Sequence, residues 1–121
     1  MIIITATFML SDPSTQNEAI KKATPLQQAT RDNEAGCRAY VFSPDPCEND
    51  RVIVFELWED QKSLADHFDH QNYFNMGSMF GEVGLAGAES RKWRVTASEP
   101  VYDDTPKALS LIHISEPTRP Y

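Results

Sequence analysis

The chain has 121 residues, and its 11 Lys and Arg residues against 18 Asp and Glu residues give a formal net charge of −7. This length suits one domain, and an acidic chain without a basic stripe argues against a nucleic-acid partner. No apolar run approaches the roughly 18 residues of a membrane-spanning helix, so we expect no membrane association. The first residues lack a secretory signal pattern, which favours a cytoplasmic location.

The first half of the chain predicts a strand, a helix and a hairpin. The β-branched, apolar segment Ile2–Leu10 predicts a strand that is covered on both faces. Asp12 or Ser14 can cap a helix over 14–33, in which Pro25 predicts a kink or a division into two short helices. We expect Gly36 to terminate this helix. The apolar face of this helix is predicted to carry Ile20, Ala23, Leu26 and Thr30, and the hairpin strands are Arg38–Ser43 and Arg51–Glu59.

The second half predicts two helical pieces and a last strand. Asp60 is an N-cap candidate for a helix with Leu64, His67 and Phe68 on one face. A second piece begins near Asn72, which we expect to cap it. Its apolar side carries Tyr73, Met76, Phe80 and Val83, and the glycines expected to break it up are Gly81, Gly84 and Gly87. A strand over Glu89–Ala97 and an extended arm over Glu99–Asp103 complete a βαββαβ order, the ferredoxin-like, split βαβ arrangement of an α+β fold.

We expect the domain to span residues 1–104 and residues 105–121 to be a C-terminal tail outside it. The segment Leu109–Pro120 resembles translated sequencing-adaptor sequence, and we exclude it from the functional interpretation. The alternative is a genuine C-terminal strand at Leu109–Ile114.

The sequence shows no motif for a metal or an organic cofactor. The three histidines and two cysteines lack metal-ligand spacing, and there is no phosphate-binding glycine loop or nucleophile elbow. We therefore expect no metal, flavin or nicotinamide. Cys37 is interpreted as a buried strand residue and Cys47 as a loop residue, both reduced, although a bridge between them across the turn is an alternative.

Side-chain alternation in the third strand places Val54, Glu56 and Trp58 on one face and Ile53, Phe55 and Leu57 on the other. Both faces need cover, but two helical segments can cover only one. The second face therefore predicts a homodimer that packs sheet on sheet.

Several side chains could serve a site or merely the core. Glu56 could orient a substrate or a histidine, or it could pair with an arginine: Arg38, Arg91 or Arg94. His67 could act as a general base or be a satisfied core histidine. Trp58, Tyr40 and Tyr73 could wall an aromatic pocket or simply pack.

Three segments together resemble the antibiotic biosynthesis monooxygenase (ABM) family, and more closely its small quinol monooxygenase type. They are Glu34-Ala35-Gly36-Cys37-Arg38-Ala39-Tyr40, Phe55-Glu56-Leu57-Trp58-Glu59 and Leu64-Ala65-Asp66-His67-Phe68. The likeness extends over about 2–103 in order and spacing.

The resemblance implies a dimeric α+β barrel and the oxygenation of a quinol or polyphenol by O₂ without metal or flavin. By position it places Trp58 and His67 at the pocket, with His67 as the catalytic residue. Tyr40, Glu56, Asn72 and Tyr73 are the further candidates for binding a small aromatic substrate.

The chain also departs from some branches of this family. Many quinol-type relatives have Pro-His where this chain has Gln71-Asn72, and polyketide-oxidising relatives have Asn where this chain has Val54. The first strand lacks the Asn of the haem-degrading branch. Two other functions remain compatible with such a fold: a non-catalytic ligand-binding or stress-related dimer, and an isomerase or dehalogenase.

Overall fold

The computed structural model describes residues 1–102. It has four strands and three α-helices, with a short 3₁₀ turn at Pro13–Thr15 before the first helix. Along the chain the elements are β1 (Ile2–Leu10), α1 (Gln16–Asn33), β2 (Cys37–Pro44), β3 (Arg51–Trp58), α2 (Gln61–Phe68), α3 (Gln71–Val83) and β4 (Leu85–Arg94). The predictions for residues 105–121, and the end of the expected arm at Asp103, lie outside the described residues.

The strands form one antiparallel sheet in the order β2-β3-β1-β4. This is the strand order of a ferredoxin-like fold. The predicted α+β class and the βαββαβ order are therefore confirmed. None of the helices among residues 1–102 is long and apolar enough to cross a membrane.

The core lies between one face of the sheet and the three helices. Alternate residues of β1, β2 and β3 turn towards the helices and are buried: Ile2, Ile4, Leu10, Tyr40, Phe42, Val52, Val54, Glu56 and Trp58. The opposite face carries no helix from residues 1–102 and leaves large apolar side chains partly exposed: Val41, Ile53, Phe55 and Trp93. This chain thus covers one face of its own sheet and leaves the other open.

Helix α1 continues through Pro25, so the predicted division into two short helices is wrong. Its buried residues are Ala19, Ala23, Gln27 and Thr30, whereas Ile20 and Leu26 are only partly buried. Small side chains on the inner face let the helix approach the sheet. The amide of Gln27 then bonds the backbone of Phe42 in both directions, at 3.1 Å and 2.9 Å, and this pairing holds the helix beyond the proline.

Gly36 has a different role from the predicted helix terminator. Helix α1 ends at Asn33, and Gly36 is not in the left-handed region that a terminating glycine adopts. A Cβ atom at position 36 would instead overlap the side chain of Ser63 in α2. Gly36 is therefore needed because the chain entering β2 passes directly against α2.

The boundaries around α3 and β4 also differ from the prediction. The N-cap of α3 is His70, whose Nδ1 accepts a hydrogen bond from the backbone N–H of Asn72 at 3.0 Å, so the capping role expected of Asn72 is wrong. Gly81 lies within α3, which ends at Val83 with Gly84 as its C-cap at φ 100°. Gly87 lies in β4. Strand β4 begins at Leu85, four residues earlier than predicted, because it pairs with β1 as far as Leu10.

Both cysteine thiols are free. Cys47 is exposed, as expected of a loop residue, whereas Cys37 is half-buried and not buried as predicted. Burial raises the pKa of the Cys37 thiol to about 11, so it stays protonated near neutral pH.

Candidate active site

A cavity of about 470 Å³ lies between α3 and the helix-facing side of the sheet. Its walls are aromatic and aliphatic apart from a few polar groups: Phe8, Tyr40, Phe42, Glu56, Tyr73, Phe74, Met76, Gly77, Ser78, Phe80 and Leu85. This volume is within the usual range for small-molecule sites. An apolar chamber with few polar groups is suited to a flat, largely apolar molecule.

Glu56 contributes the one carboxyl group among the residues that line this cavity. The strand alternation of β3 turns it towards the helices, where it is 7% exposed. Its Oε1 accepts a hydrogen bond of 2.9 Å from the indole N–H of Trp58, two residues along the same face. The alternative of an arginine partner is wrong. Arg38 pairs with Glu59 on the surface, and Arg91 lies over the Trp93 ring. Arg94 lies opposite Ile2 of β1, whereas the residue of β1 opposite Glu56 is Ile4.

Burial raises the pKa of Glu56 to about 7, although the hydrogen bond from Trp58 lowers it; the nearby charge of Glu34 also raises this pKa. A carboxyl group with this pKa exchanges its proton near neutral pH. Tyr40, packed beside it, has its pKa raised above the ordinary range by burial and remains a neutral phenol.

A second polar group lies deeper, between the helices. His67 Nδ1 is 2.8 Å from Glu34 Oε1, and both side chains are almost fully buried. The other oxygen of Glu34 accepts a hydrogen bond of 3.1 Å from the side-chain amide of Asn72. Glu34 thus links the end of α1 to α2 and to the first turn of α3.

Aromatic rings enclose His67. Its ring centroid is 4.4 Å from that of Trp58, 5.4 Å from that of Tyr40 and 5.5 Å from that of Tyr73. Burial lowers the pKa of His67 more than the neighbouring Glu34 raises it, so the imidazole is neutral at physiological pH. The expected apolar helix face is correct for Leu64 and His67 but not for Phe68, which is 37% exposed.

The six candidates from the sequence divide into two groups. Tyr40, Glu56 and Tyr73 line the cavity, whereas Trp58, His67 and Asn72 lie outside its lining. Trp58 connects the two groups: its indole N–H bonds Glu56 at the cavity, and its ring packs against His67. Sequence reasoning gave no role to Glu34, although it opens the first family segment. The sequence signal for Glu34 was a carboxylate two residues before Gly36, between the first helix and the second strand.

Residues 1–102 contain no group of three or more His, Cys, Asp or Glu side chains that could hold a metal ion. The polar groups that converge here are paired with each other, Glu34 with His67 and Glu56 with Trp58.

The fold and its cavity define a small ferredoxin-like α+β protein with a ligand-sized chamber under the helices. The family model for antibiotic biosynthesis monooxygenases matches residues 1–76, more than half of the chain, and the chain therefore belongs to this family. No curated protein matches its sequence significantly.

Solved structures share the fold at low sequence identity. A Deinococcus radiodurans protein named provisionally as an antibiotic biosynthesis monooxygenase is 16% identical, with a TM-score of 0.74 over 85% of this chain and 100% of its own. A Caulobacter crescentus CB15 protein with the same provisional name is 22% identical, with a TM-score of 0.70 over 81% and 90%. A conserved protein from Methanosarcina mazei Go1 is 20% identical, with a TM-score of 0.68 over 77% and 90%. At these identities the likeness establishes the fold alone.

Proposed function

We propose that this protein is a cofactor-independent monooxygenase that oxidises a quinol- or polyphenol-like aromatic with O₂ in the cavity beneath α3. The single observation that carries this proposal is the cavity itself, a chamber of about 470 Å³ with aromatic walls and one carboxyl group. Aromatic walls can pack against a planar ring, and a carboxylate whose pKa is near 7 can accept a proton from a phenol. Membership of the monooxygenase family supports the reaction class.

The chemistry requires little of the protein because the substrate supplies the electrons. Loss of a phenolic proton gives a phenolate, which transfers one electron to O₂. The resulting superoxide and ring radical combine, forming a bond between a ring carbon and oxygen. The peroxide takes up a proton, its O–O bond breaks, and the ring C–H proton is lost with departing water. The substrate gains one oxygen atom and loses two hydrogen atoms, which leave with the second oxygen atom as water.

The residues of this chain contribute binding, proton transfer and exclusion of water. Tyr40 and Tyr73 line the cavity and can contact the ring. Glu56, at the wall, and His67, behind it, are the two groups that could accept the proton. The apolar side chains that α3 presents to the cavity leave few polar groups there to hold water beside the reactive intermediates.

The same proposal includes a homodimer and a cytoplasmic location. Val41, Ile53, Phe55 and Trp93 are each between 36% and 49% exposed on the open face of the sheet. An apolar patch of this kind is typical of a protein–protein contact. A second copy packed sheet on sheet would cover it. Two free thiols are consistent with a reducing compartment.

The test is oxygen consumption by the purified, chelator-treated protein across a panel of quinols and polyphenols. Gly77 lines the cavity and Gly81 does not, yet both lie in α3 with open space around the position of a Cβ atom. Gly77→Leu should therefore block the cavity and abolish turnover, whereas the matched control Gly81→Leu should retain it. Quinol binding without oxygen consumption would favour the ligand-binding dimer instead. Equal turnover in both variants would place the reaction elsewhere.

A further inference from the structure

Two groups compete for the proton that the substrate must lose, and they differ in their access to the cavity. Glu56 lines the cavity, and its Oε2 has no hydrogen-bond partner among residues 1–102. His67 does not line the cavity and is 1% exposed, with its Nδ1 engaged by Glu34. A general base must come within hydrogen-bond distance of the proton it takes.

We infer that Glu56 is the catalytic base and that His67 is a positioning residue, an assignment that rests on the proposed monooxygenase function. One oxygen of Glu56, Oε1, is held by a hydrogen bond from the indole N–H of Trp58. The other oxygen is left for the substrate. His67 acts through Trp58, because its ring packs against the indole at a centroid distance of 4.4 Å.

Glu56 takes one phenolic proton from the substrate and later returns it. A hydroxyl group of the quinol lies against Glu56 Oε2, its O–H bond breaks, and the proton forms a new O–H bond on the carboxylate. The electron pair remains on the phenolate oxygen and raises the electron density of the ring. After O₂ has added, the proton held by Glu56 returns to the peroxide oxygen. This transfer ionises Glu56 again, and after the O–O bond breaks the departing hydroxide takes the ring C–H proton and leaves as water.

The surroundings of Glu56 set its affinity for this proton. The indole of Trp58 on β3 stabilises the carboxylate, and the negative charge of Glu34 at the end of α1 opposes ionisation. β1 offers no charge here, since the residue opposite Glu56 in the register is Ile4. The other titratable groups facing this region are Cys37 and Tyr40 from β2, His67 from α2 and Tyr73 from α3. The balance is dominated by burial, which raises the pKa to about 7.

Four variants separate this assignment from a base role for His67. The turnover of the wild type should rise with pH around pH 7, and we call this rise the limb of its pH profile. Glu56→Gln keeps an oxygen that accepts from Trp58 but cannot take a proton, so turnover should fall about a hundredfold or more and the limb should disappear. His67→Gln should keep the limb and lose roughly tenfold or less. Glu82→Gln, a change at an exposed carboxylate of α3, is the matched control and should behave as wild type.

The fourth variant tests the hydrogen bond itself. Trp58→Phe removes the donor that stabilises the carboxylate, so the limb should remain and move to higher pH. A role for Glu56 that is only structural would not predict this shift. Carboxyl ¹³C NMR of wild type provides a measurement independent of activity. The resonance that disappears in Glu56→Gln should titrate near pH 7 and coincide with the kinetic limb.

The outcomes distinguish the two proposals. A limb that persists in Glu56→Gln and disappears in His67→Gln would overturn the assignment while leaving the monooxygenase intact. So would a Glu56 carboxyl that titrates at the ordinary value of a glutamate in a wild type that turns over. Absence of oxygen consumption by wild type on every quinol would instead overturn the proposed function, and the base assignment with it.

Discussion

His67 Nδ1 lies 2.8 Å from Glu34 Oε1, and this contact joins the end of α1 to α2 across 33 residues of sequence. Both partners are nearly inaccessible to solvent. An ionised or polar group in such a place needs its partner, because a buried unpaired group is far costlier than the pair is stabilising.

Replacing Glu34 should therefore destabilise the fold. Glu34→Ala leaves the ring nitrogen of His67 and the amide of Asn72 without their acceptor. We expect a loss of about 1–3 kcal/mol in the free energy of unfolding, measured by urea denaturation. The control is Glu18→Ala, which removes an exposed carboxylate of the same helix that pairs with Lys22 and should have no measurable effect. Equal free energies of unfolding for the two variants would show that the hydrogen bonds of Glu34 do not stabilise the fold.

The close approach of Gly36 to Ser63 gives a second prediction about stability. Gly36→Ala places a methyl group where the Ser63 side chain lies, so the chain or α2 must shift, at about 1–3 kcal/mol. Gly81→Ala is the matched control, because it adds the same methyl group in open space within α3. There the gain in helix propensity should stabilise the protein by about 0.5–1 kcal/mol. Thermal melting should show opposite shifts, and a stabilising Gly36→Ala would refute the contact.

These two contacts mark the limit of sequence reasoning. The order of the elements along the chain followed from local signals, because β-branched runs and the polar turn between β2 and β3 are encoded in adjacent residues. The pairing of Glu34 with His67 brings together distant residues, and no local pattern reports it. The start of β4 was misplaced because its residues are mostly exposed and lack the apolar alternation of a covered strand.

In the site, too, local features could be predicted from the sequence and long-range packing could not. Alternation along β3 correctly placed Glu56 and Trp58 on one face, since that property belongs to the strand itself. Which candidates line the cavity depends on how α3 crosses the sheet. That packing puts Tyr73 at the cavity wall and Asn72 against Glu34, one residue apart and with different roles.

Glu56 should make stability depend on pH. Its pKa is raised from 4.5 to about 7 in the folded state, so the folded state holds the proton more tightly than the unfolded chain does. The resulting stabilisation is complete below pH 4.5 and is lost as the pH rises through 7. Relative to Glu56→Gln, wild type should lose about 3 kcal/mol across this interval. Urea denaturation of both proteins at several pH values measures the difference, and a constant difference would contradict the raised pKa.

His67 opposes this trend, because its lowered pKa means that the unfolded chain binds the proton more readily. Its contribution is present above the ordinary histidine pKa of 6.5 and is lost as the pH falls through the folded value. Both the wild type and Glu56→Gln contain His67, so comparing them at the same pH removes the His67 contribution from the difference in stability.

The domain boundary gives a prediction for the C-terminal residues. If the domain ends at residue 104, a chain shortened after Asp104 should keep the melting temperature and the quinol turnover of the full chain. A clear fall in either would show that Leu109–Ile114 belongs to the domain as a strand.

The open face of the sheet gives the prediction about assembly. Phe55 is 40% exposed at the centre of this face, beside Ile53 on the same strand and opposite Thr5 of β1. If a second copy covers it, Phe55→Glu buries an unpaired charge at the contact and should convert the dimer to a monomer. Light scattering at micromolar concentration measures the mass. Phe74→Glu is the control, because Phe74 is 50% exposed but lies on α3, on the other side of the sheet, and should leave the mass unchanged. A monomeric wild type, or a dimer that tolerates Phe55→Glu and dissociates with Phe74→Glu, would place the contact elsewhere than on this face.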